Sequence, residues 1–278
     1  MSHIDELYVL ARRVLLDALE ALGAHRSAMV LVGAQAVYLR VGEADLAVAP
    51  YTTDGDLAID PTILKEIPPI EQALMKAHFF PKSSDSVGIW ITKRSTSRQV
   101  ETEVAVDLLV PQSISPGKGA RAARLAGHDS RAARMVKGLE GAIVDAEVMK
   151  IESLEDNDPR AFDMRIAGPA ALLVAKVHKI NDRQGTSRKS DKDALDVLRL
   201  LRGTETDDLV TRFEKLLNDP RSAEAARLGR GLIEIQFAKR SGTGVEMAIR
   251  SVGALADADE IAASCVALTG DLLTAMKS

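Results

Sequence analysis

Two short segments constrain the fold of this chain more than any others. Val30-Leu31-Val32 is an apolar run that ends at Gly33 and passes into a helical pattern, which predicts a strand, a turn and a helix. About twenty residues later, Asp54-Gly55-Asp56 opens a second apolar run. Residues two apart on a strand point to the same side, so the two carboxylates are expected to lie together. Carboxylates held so close repel each other unless a cation sits between them.

A third carboxylate interrupts a later strand-like run. Asp107 lies in the middle of a β-branched, apolar segment over residues 104–110. A buried, unpaired aspartate is strongly destabilising, so Asp107 needs a metal ion or a cationic partner. Three carboxylates on neighbouring strands can bind two Mg²⁺ ions about 4 Å apart, which activates an attacking oxygen and stabilises a leaving phosphate oxygen. An Asp-x-Asp pair alone is common in loops, but the joint pattern predicts nucleotidyl-type phosphoryl transfer.

The order of these residues resembles a known motif. Gly33-Ala34, Asp54-Gly55-Asp56 and Asp107 are similar to the Gly-Ser turn, Asp-x-Asp pair and third strand aspartate of the polymerase-β-like nucleotidyltransferase superfamily. Ala34 departs from this motif, because the superfamily usually places serine there. Backbone N–H groups after Gly33 can still meet phosphate at a helix start. Gln35 or Tyr38 is expected to supply polar contacts in place of the missing hydroxyl.

The second half of the chain narrows the resemblance. An apolar helical run carries Lys176, Arg183 follows seven residues later, and the next helical pattern contains Asp193 and Asp196. This order is similar to that of the AbiEii and MenT type nucleotidyltransferase toxins. Together with the first motif, the resemblance covers roughly residues 27–200.

The resemblance implies roles for particular residues. Asp54, Asp56 and Asp107 are expected to hold two Mg²⁺ ions and, with Lys176 and Asp196, to form the catalytic set. An NTP substrate is expected to contact Gly33, Ala34, Thr53, Lys176, Arg183 and Asp193. Asp196 is expected to pair with Lys176 or Arg183, and Asp193 to face the site. From spacing alone, Lys176 is equally compatible with snorkelling to solvent.

The resemblance also implies an acceptor and a partner. The acceptor would be the 3′ end of tRNA, whose extension blocks aminoacylation and arrests growth, and a cognate antitoxin would bind the protein. Transfer to a protein hydroxyl or to a small molecule such as an antibiotic remains open. So does a non-catalytic nucleotide-binding module, for which Ala34 is the motif-level support.

The third aspartate lies within a segment rich in basic residues, most of which follow it in the chain. Residues 93–137 contain nine lysines and arginines against four acids, an excess of five, although the whole chain has a net charge of −4. Such a segment can hold the phosphates of a nucleic acid without reading its sequence. An exposed helical face whose arginines pair with nearby acids explains the same composition equally well.

Amino-acid composition limits the possible fold class and the expected cellular compartment. The chain has 278 residues, 46% of them apolar, with one Trp, three Tyr and five Phe, which favours aliphatic, helix-rich packing. The single cysteine, Cys265, excludes an internal disulfide and a thiolate metal site, and a reducing cytoplasm is the expectation. No segment approaches the roughly 20 continuous apolar residues of a membrane span, and the first residues do not resemble a signal peptide.

The sequence predicts an α+β fold followed by a helical region. A nucleotidyltransferase domain with a small mixed sheet is expected over residues 1–165, and an all-helical domain over residues 166–278. The expected strands are residues 28–32, 56–60, 87–93 and 103–110, with one or two more in 141–152. The expected helices before Pro169 are residues 4–24, 33–41 and 61–78, and nearly everything after Pro169 is expected to be helical.

Overall fold

The chain folds into two compact units. The computed structural model describes residues 5–42, 44, 46, 51–115, 121–184 and 191–277. Unit 1 comprises residues 1–35, 50–136 and 146–166, and unit 2 comprises residues 36–49, 137–145 and 167–278. Each unit therefore draws on more than one segment of the chain, and the division into domains at residues 165 and 166 stays a prediction.

Unit 1 is built on a mixed β-sheet. Its strands are β1 (Met29–Val32), β2 (Asp54–Ile59), β3 (Phe80–Pro81), β4 (Ile89–Ser95), β5 (Glu101–Pro111), β6 (Arg134–Val136), β7 (Ala146–Glu152) and β8 (Ala161–Ala167). The order across the sheet is β3-β4-β5-β2-β1-β8-β7, and β6 pairs with β5. β2 is antiparallel to β1 and parallel to β5, so it lies between the strand that leads into Gly33 and the strand that carries Asp107.

Helix α1 (Glu6–Ala21) covers part of this sheet. Its N-cap is Asp5, whose carboxylate accepts a hydrogen bond from the backbone N–H of Leu7. The apolar side chains recur at helical spacing and are buried, and Leu15 packs against Gly55 in the middle of β2. Gly55 therefore allows the close approach between α1 and the strand that carries the two aspartates.

The helix expected over residues 61–78 is mostly absent. The observed helix, α3 (Ile70–Lys76), starts only after Pro68 and Pro69. Proline lacks the N–H of a helical hydrogen bond and disfavours helical backbone in the residue before it. Pro61, Pro68 and Pro69 therefore restrict the helix to the last part of the predicted range.

The expectation of strands alone over residues 141–152 is also wrong in part. Residues Glu140–Val144 form a short helix, α4, and only Ala146–Glu152 form a strand. Gly141, Ala142 and Ile143 are consecutive and all buried, whereas a strand with one solvent-facing side buries alternate residues. A Cβ added at Gly141 would lie 3.2 Å from the Cβ of Ala171, so tertiary packing favours the helical turn.

Helices dominate after Pro169. α2 (Gly33–Val41) follows β1, and the later helices are α5 (Pro169–Asp182), α6 (Lys192–Gly203), α7 (Thr206–Asn218), α8 (Ala223–Phe237), α9 (Thr243–Val252) and α10 (Ala258–Ala275). Within unit 2, α5 packs against α6, α7 and α8, and α9 packs against α6 and α10. The predicted fold class, a mixed α/β sheet with a helical C-terminal region, is confirmed.

Candidate active site

The turn between β1 and α2 brings a helix start against a carboxylate. Gly33 has a φ of +72°, a left-handed conformation that glycine adopts at little steric cost. A Cβ added at Gly33 would lie 2.0 Å from Oδ2 of Asp56. The first N–H groups of a helix lack intrahelical partners, so this turn suits an anion such as phosphate. Nucleotide contact by Gly33 and the half-buried Ala34 stays a prediction.

The three predicted aspartates lie on one face of the sheet. Asp54 and Asp56 are two residues apart on β2 and point away from α1, because Gly55 between them contacts Leu15 of that helix. Asp56 is opposite Asp107 in the parallel register of β2 and β5. Paired residues of neighbouring strands project to the same face. The structure thus brings Asp54, Asp56 and Asp107 to the same face, next to Gly33.

Two of these carboxylates have well-defined partners. The hydroxyl of Thr52 donates to Oδ1 of Asp54 at 2.6 Å, and the guanidinium of Arg134 donates to Oδ2 of Asp107 at 2.5 Å. Arg134 thereby supplies the cationic partner that the apolar surroundings of Asp107 required. Within the part of the chain that the structure describes, no three His, Cys, Asp or Glu side chains are arranged to hold a metal ion. Mg²⁺ binding at these carboxylates stays a prediction.

A second predicted group forms a buried charge cluster in unit 2. Lys176 of α5 is only 4% exposed, and its ammonium donates to Asp193 at 2.9 Å and to Asp196 at 2.6 Å. Arg199 donates to the second oxygen of Asp196 at 3.2 Å. The ammonium of Lys176 is therefore engaged by two carboxylates rather than snorkelling to solvent, and its contact with phosphate stays a prediction.

Two more exposed cations border this cluster. Lys179 and Arg183 contact Asp193 at 3.1 Å and 3.4 Å, with side chains 36% and 34% exposed. Burial alone would raise the pKa of Asp193, but the charges of Lys176, Lys179 and Arg183 lower that pKa well below its ordinary value. Burial likewise opposes the charge on Lys176, and Asp193 and Asp196 raise the pKa of its ammonium above the ordinary value. Lys176 and Asp193 therefore stabilise each other in their charged forms. Contact of Arg183 with a nucleotide stays a prediction.

A cavity of about 330 Å³ lies beside this cluster. It is formed by the end of α5, the start of α6 and one side of α9 from Thr243 to Arg250. Its lining includes Arg183, Asp191, Asp193, Glu246 and Arg250. Arg250 forms two hydrogen bonds with Asp191, so part of the charge in the cavity is internally compensated.

Three further residues with predicted nucleotide contacts lie near the two groups. Thr53 is exposed immediately before β2, whereas its neighbour Thr52 is buried against Asp54. The amide of Gln35 is buried and donates to the backbone oxygen of Asp54. Tyr38 is largely buried, and its ring lies 5.1 Å from the guanidinium carbon of Arg199. Gln35 and Tyr38 both make internal contacts, and their contact with a nucleotide stays a prediction.

Three arginines that the sequence motifs do not single out also contact these residues. Arg12 of α1 and Arg199 of α6 are both 2% exposed. Arg12 donates a hydrogen bond to Gln35, and Arg199 donates one to Asp196. Each is a cation within an otherwise apolar helical stripe, which is the signal that pointed to Lys176. In the sequence Arg134 is one of the basic residues of segment 93–137, and nothing near it in the sequence predicts its pairing with Asp107.

The basic segment is neither one arm nor a helical face. Several members pair with acids of unit 1: Lys93 with Glu101, Arg94 with Asp17, Arg131 with Asp129, and Arg134 with Asp107. Arg121, Arg124 and Arg131 are exposed and precede β6 without forming a helix, and Lys118 lies outside the described residues. Contact between the exposed members of the segment and a nucleic acid stays a prediction.

Both groups of site residues fall within a single match to a protein family. A family model described as "Nucleotidyltransferase" matches residues 12–218, from Arg12 of α1 to the end of α7. The chain belongs to this nucleotidyltransferase family. The matched range includes Gly33, the three aspartates of unit 1 and the Lys176 cluster. All of these candidate residues of the nucleotidyltransferase therefore lie in the part of the chain that the family model describes.

Other comparisons add little to the family assignment. The nucleotidyltransferase is similar in structure to an antigenic nucleotidyltransferase-like protein from Paracoccidioides brasiliensis. The two share 16% sequence identity and a TM-score of 0.40, over 81% of this chain and 93% of that chain. No curated protein matches the sequence. None of the helices in the described residues is long and apolar enough to cross a membrane.

Proposed function

We propose that this nucleotidyltransferase transfers a nucleoside monophosphate from an NTP to the 3′ end of tRNA in a Mg²⁺-dependent reaction. The observation that carries this proposal is the placement of Asp54, Asp56 and Asp107 on one face of the sheet beside the glycine turn at Gly33. A helix start suited to phosphate next to oxygen ligands suited to a hard cation is the combination that nucleotidyl transfer needs.

The donor set fits magnesium by its chemistry. Carboxylate oxygens are preferred ligands of Mg²⁺, and Asp56 and Asp107 occupy paired positions on adjacent strands. Two Mg²⁺ ions held by Asp54, Asp56 and Asp107 would lower the pKa of the acceptor hydroxyl and neutralise charge on the leaving pyrophosphate. Arg134 forms an ion pair with Asp107 in the structure. If a metal ion took the place of Arg134 at Asp107, the guanidinium could turn toward another anion.

The reaction is a single displacement at phosphorus. The acceptor oxygen forms a bond to the α-phosphorus, and the bond from that phosphorus to the oxygen bridging to the β-phosphate breaks, releasing pyrophosphate. Asp107 accepts or orients the hydroxyl proton. The assignment of Lys176, Arg183 and Asp193 to the nucleotide site rests on the resemblance, and Arg183 is the more accessible of the two cations.

RNA as the acceptor is supported by exposed positive charge in unit 1. Arg121, Arg124 and Arg131 are exposed and lie in the segment between β5 and β6, the two strands that carry Asp107 and Arg134. Such arginines can contact phosphates without reading base sequence. The tRNA end, the growth-arresting toxin role, the cognate antitoxin partner and a cytoplasmic location rest on the resemblance to AbiEii and MenT type toxins.

A labelling experiment tests the proposal. The pure protein is incubated with Mg²⁺, each α-labelled NTP in turn and total tRNA, alongside the Asp56→Asn and Asp85→Asn variants. Asp85 is an exposed aspartate in the turn before β4, so its variant removes the same charge from unit 1 outside the carboxylate face. We expect label at the tRNA 3′ end, a loss of about 100-fold or more in Asp56→Asn, and wild-type labelling in Asp85→Asn.

Other outcomes contradict particular parts of the proposal. Label on protein would move the acceptor to a protein hydroxyl. No label on tRNA or protein, with a Mg²⁺- and NTP-dependent rise in melting temperature, would indicate a small-molecule acceptor. The absence of that rise as well would indicate a module without a working metal site. Full transfer by Asp56→Asn would overturn the assignment of the carboxylates. Expression in a bacterial host, with growth arrest that Asp56→Asn abolishes, tests the toxin role.

A further inference from the structure

A buried arginine lies behind the carboxylate strand in unit 1. Arg12 is 2% exposed on α1, and its guanidinium donates three hydrogen bonds. The acceptors are Oε1 of Gln35 at 2.8 Å, the carbonyl oxygen of Glu152 at 2.9 Å and the hydroxyl of Tyr8 at 3.0 Å. The planar guanidinium donates in fixed directions, so these three acceptors hold it in one orientation.

Arg12 determines which way the amide of Gln35 points. A guanidinium has donors and no acceptor, so the atom of Gln35 that faces it must be the carbonyl oxygen. The Nε2 group of Gln35 is consequently directed to the other side, where it donates to the backbone oxygen of Asp54 at 2.9 Å. Gln35 is only 1% exposed, so water does not compete for either bond.

The receiving carbonyl lies beyond the end of the pairing between β2 and β1, although Asp54 is still paired with Ala105 of β5 on the other side. β1 stops at Val32, which is opposite Asp56, and the chain then turns at Gly33 into α2. Asp54 therefore extends past the last paired residue of β1. Gln35, in the first turn of α2, supplies a hydrogen-bond donor at this point, so the backbone of Asp54 is tied to the helix that starts at the glycine turn.

We propose that Gln35, oriented by Arg12, is a positioning residue that holds Asp54 at the spacing from Asp56 needed to bind a divalent cation. This inference rests on the proposed function, because it assigns a role at the same site. Thr52 complements it by donating to the carboxylate of Asp54 while Gln35 holds the backbone. Groups that orient metal ligands in this way typically contribute 10–100-fold to metal affinity or activity.

The competing explanation is a purely structural hydrogen bond. A buried polar pair of that kind stabilises the fold but has no effect on metal affinity beyond general loss of stability. A matched control is available at Thr92 of β4, which is also buried in unit 1. Its hydroxyl oxygen accepts a hydrogen bond from Arg94 at 2.8 Å, so Thr92→Val removes a partly buried hydrogen bond away from Asp54, Asp56 and Asp107.

The test measures Mn²⁺ binding directly, by electron paramagnetic resonance or calorimetry, together with kcat and KM for transfer. We expect Gln35→Leu to weaken Mn²⁺ binding and to lower kcat by about tenfold or more, with little change in KM for the acceptor. Thr92→Val is expected to lower the melting temperature while leaving Mn²⁺ affinity and kcat unchanged. If Gln35→Leu does not fold, Arg12→Lys keeps the charge but loses the guanidinium geometry, and the same changes are expected with smaller size.

The outcomes separate this inference from the proposed function. Wild-type Mn²⁺ affinity in a folded Gln35→Leu or Arg12→Lys variant overturns the positioning role, whether or not transfer is detected. Mn²⁺ binding without transfer in the wild type contradicts the proposed function alone. A wild-type protein that binds no Mn²⁺ overturns both.

Discussion

The carboxylate of Asp56 occupies the space that a side chain at Gly33 would need. Its Oδ2 atom would lie 2.0 Å from a Cβ built on Gly33, and its carboxyl carbon 2.8 Å away. The glycine turn and the Asp-x-Asp strand are therefore one structural feature rather than two adjacent motifs, since neither can change without displacing the other.

Replacing Gly33 should disturb the site more than it disturbs the fold. In Gly33→Ala the methyl group would displace Asp56 from the carboxylate face, so we expect transfer to fall by about tenfold or more. Gly42→Ala is the matched control, because Gly42 also has a positive φ, +58°, but an added Cβ there meets nothing within 4 Å. Both variants should lose about 1–2 kcal/mol from backbone strain in denaturant unfolding. Equal transfer rates in the two variants would contradict the role of the close approach.

Two lysines one turn apart on α5 should differ sharply in their contribution to stability. Lys176 is buried between Asp193 and Asp196, and Lys176→Met leaves both carboxylates without their central partner. We expect a loss of about 3 kcal/mol or more in the free energy of unfolding. Lys179→Met removes a half-exposed contact with Asp193 and should cost less than about 1 kcal/mol. Urea denaturation of both variants measures the difference, and similar losses would show that the buried cluster is not cooperative.

Stability should fall as the pH decreases through the range in which histidine titrates. Nδ1 of His128 accepts the N–H of Ile70 at 3.1 Å, and Nε2 lies 2.9 Å from the carbonyl oxygen of Lys65, so the ring is neutral with its proton on Nε2. Burial, with a further contribution from the nearby His25, lowers the pKa of His128 below its ordinary value of about 6.5. The unfolded chain therefore binds this proton at a higher pH than the folded chain does, and stability is lost below about pH 6.5.

A variant isolates this effect. His128→Asn retains an oxygen that can accept the N–H of Ile70 but does not titrate in this range. We expect the free energy of unfolding of His128→Asn to depend less on pH between 7 and 5 than that of the wild type. NMR titration of the His128 ring should give a midpoint below 6.5. A midpoint above 6.5 would reverse the sign of the prediction.

The single cysteine should report the opening of the helical unit. Cys265 of α10 is fully buried, and burial raises the pKa of its thiol to about 11. Only the thiolate is an effective nucleophile, so a thiol reagent at pH 8 should react very slowly with the native protein and stoichiometrically after denaturation. Because the chain contains one cysteine, the reaction is unambiguous. Rapid labelling of the native protein would show that α10 opens locally.

The local sequence predicted much of the site because a glycine or an aspartate interrupts the apolar pattern of a strand at each of its positions. Gly33 follows a wholly apolar strand, and Asp54 and Asp56 share one side of β2 because strand side chains alternate. The prediction that Asp107 needs a cationic partner or a metal also followed from its apolar neighbours. Which of the two it contacts did not follow, because Arg134 lies on a separate strand, 27 residues later.

The sequence-based errors arose where local pattern and tertiary packing disagree. Residues 141–144 are apolar enough for a strand, but the contact of Gly141 with Ala171 favours a helical turn. The spacing of Lys176, Lys179 and Arg183 predicted a cationic stripe on α5. It contained no information about α6, whose Asp193 and Asp196 turn the most buried cation inward.

By itself, the sequence determined the fold class, the order of the strands and helices that carry the site, and the one-sided placement of Asp54 and Asp56. These properties follow from the spacing of apolar residues and from the turn conformation that glycine allows, both of which depend on only a few neighbouring residues. The tertiary structure decided which polar groups meet: Arg134 with Asp107, Lys176 with Asp193 and Asp196, and Arg12 with Gln35 behind Asp54. Those contacts join residues far apart in the chain, and burial makes each depend on the packing of whole elements.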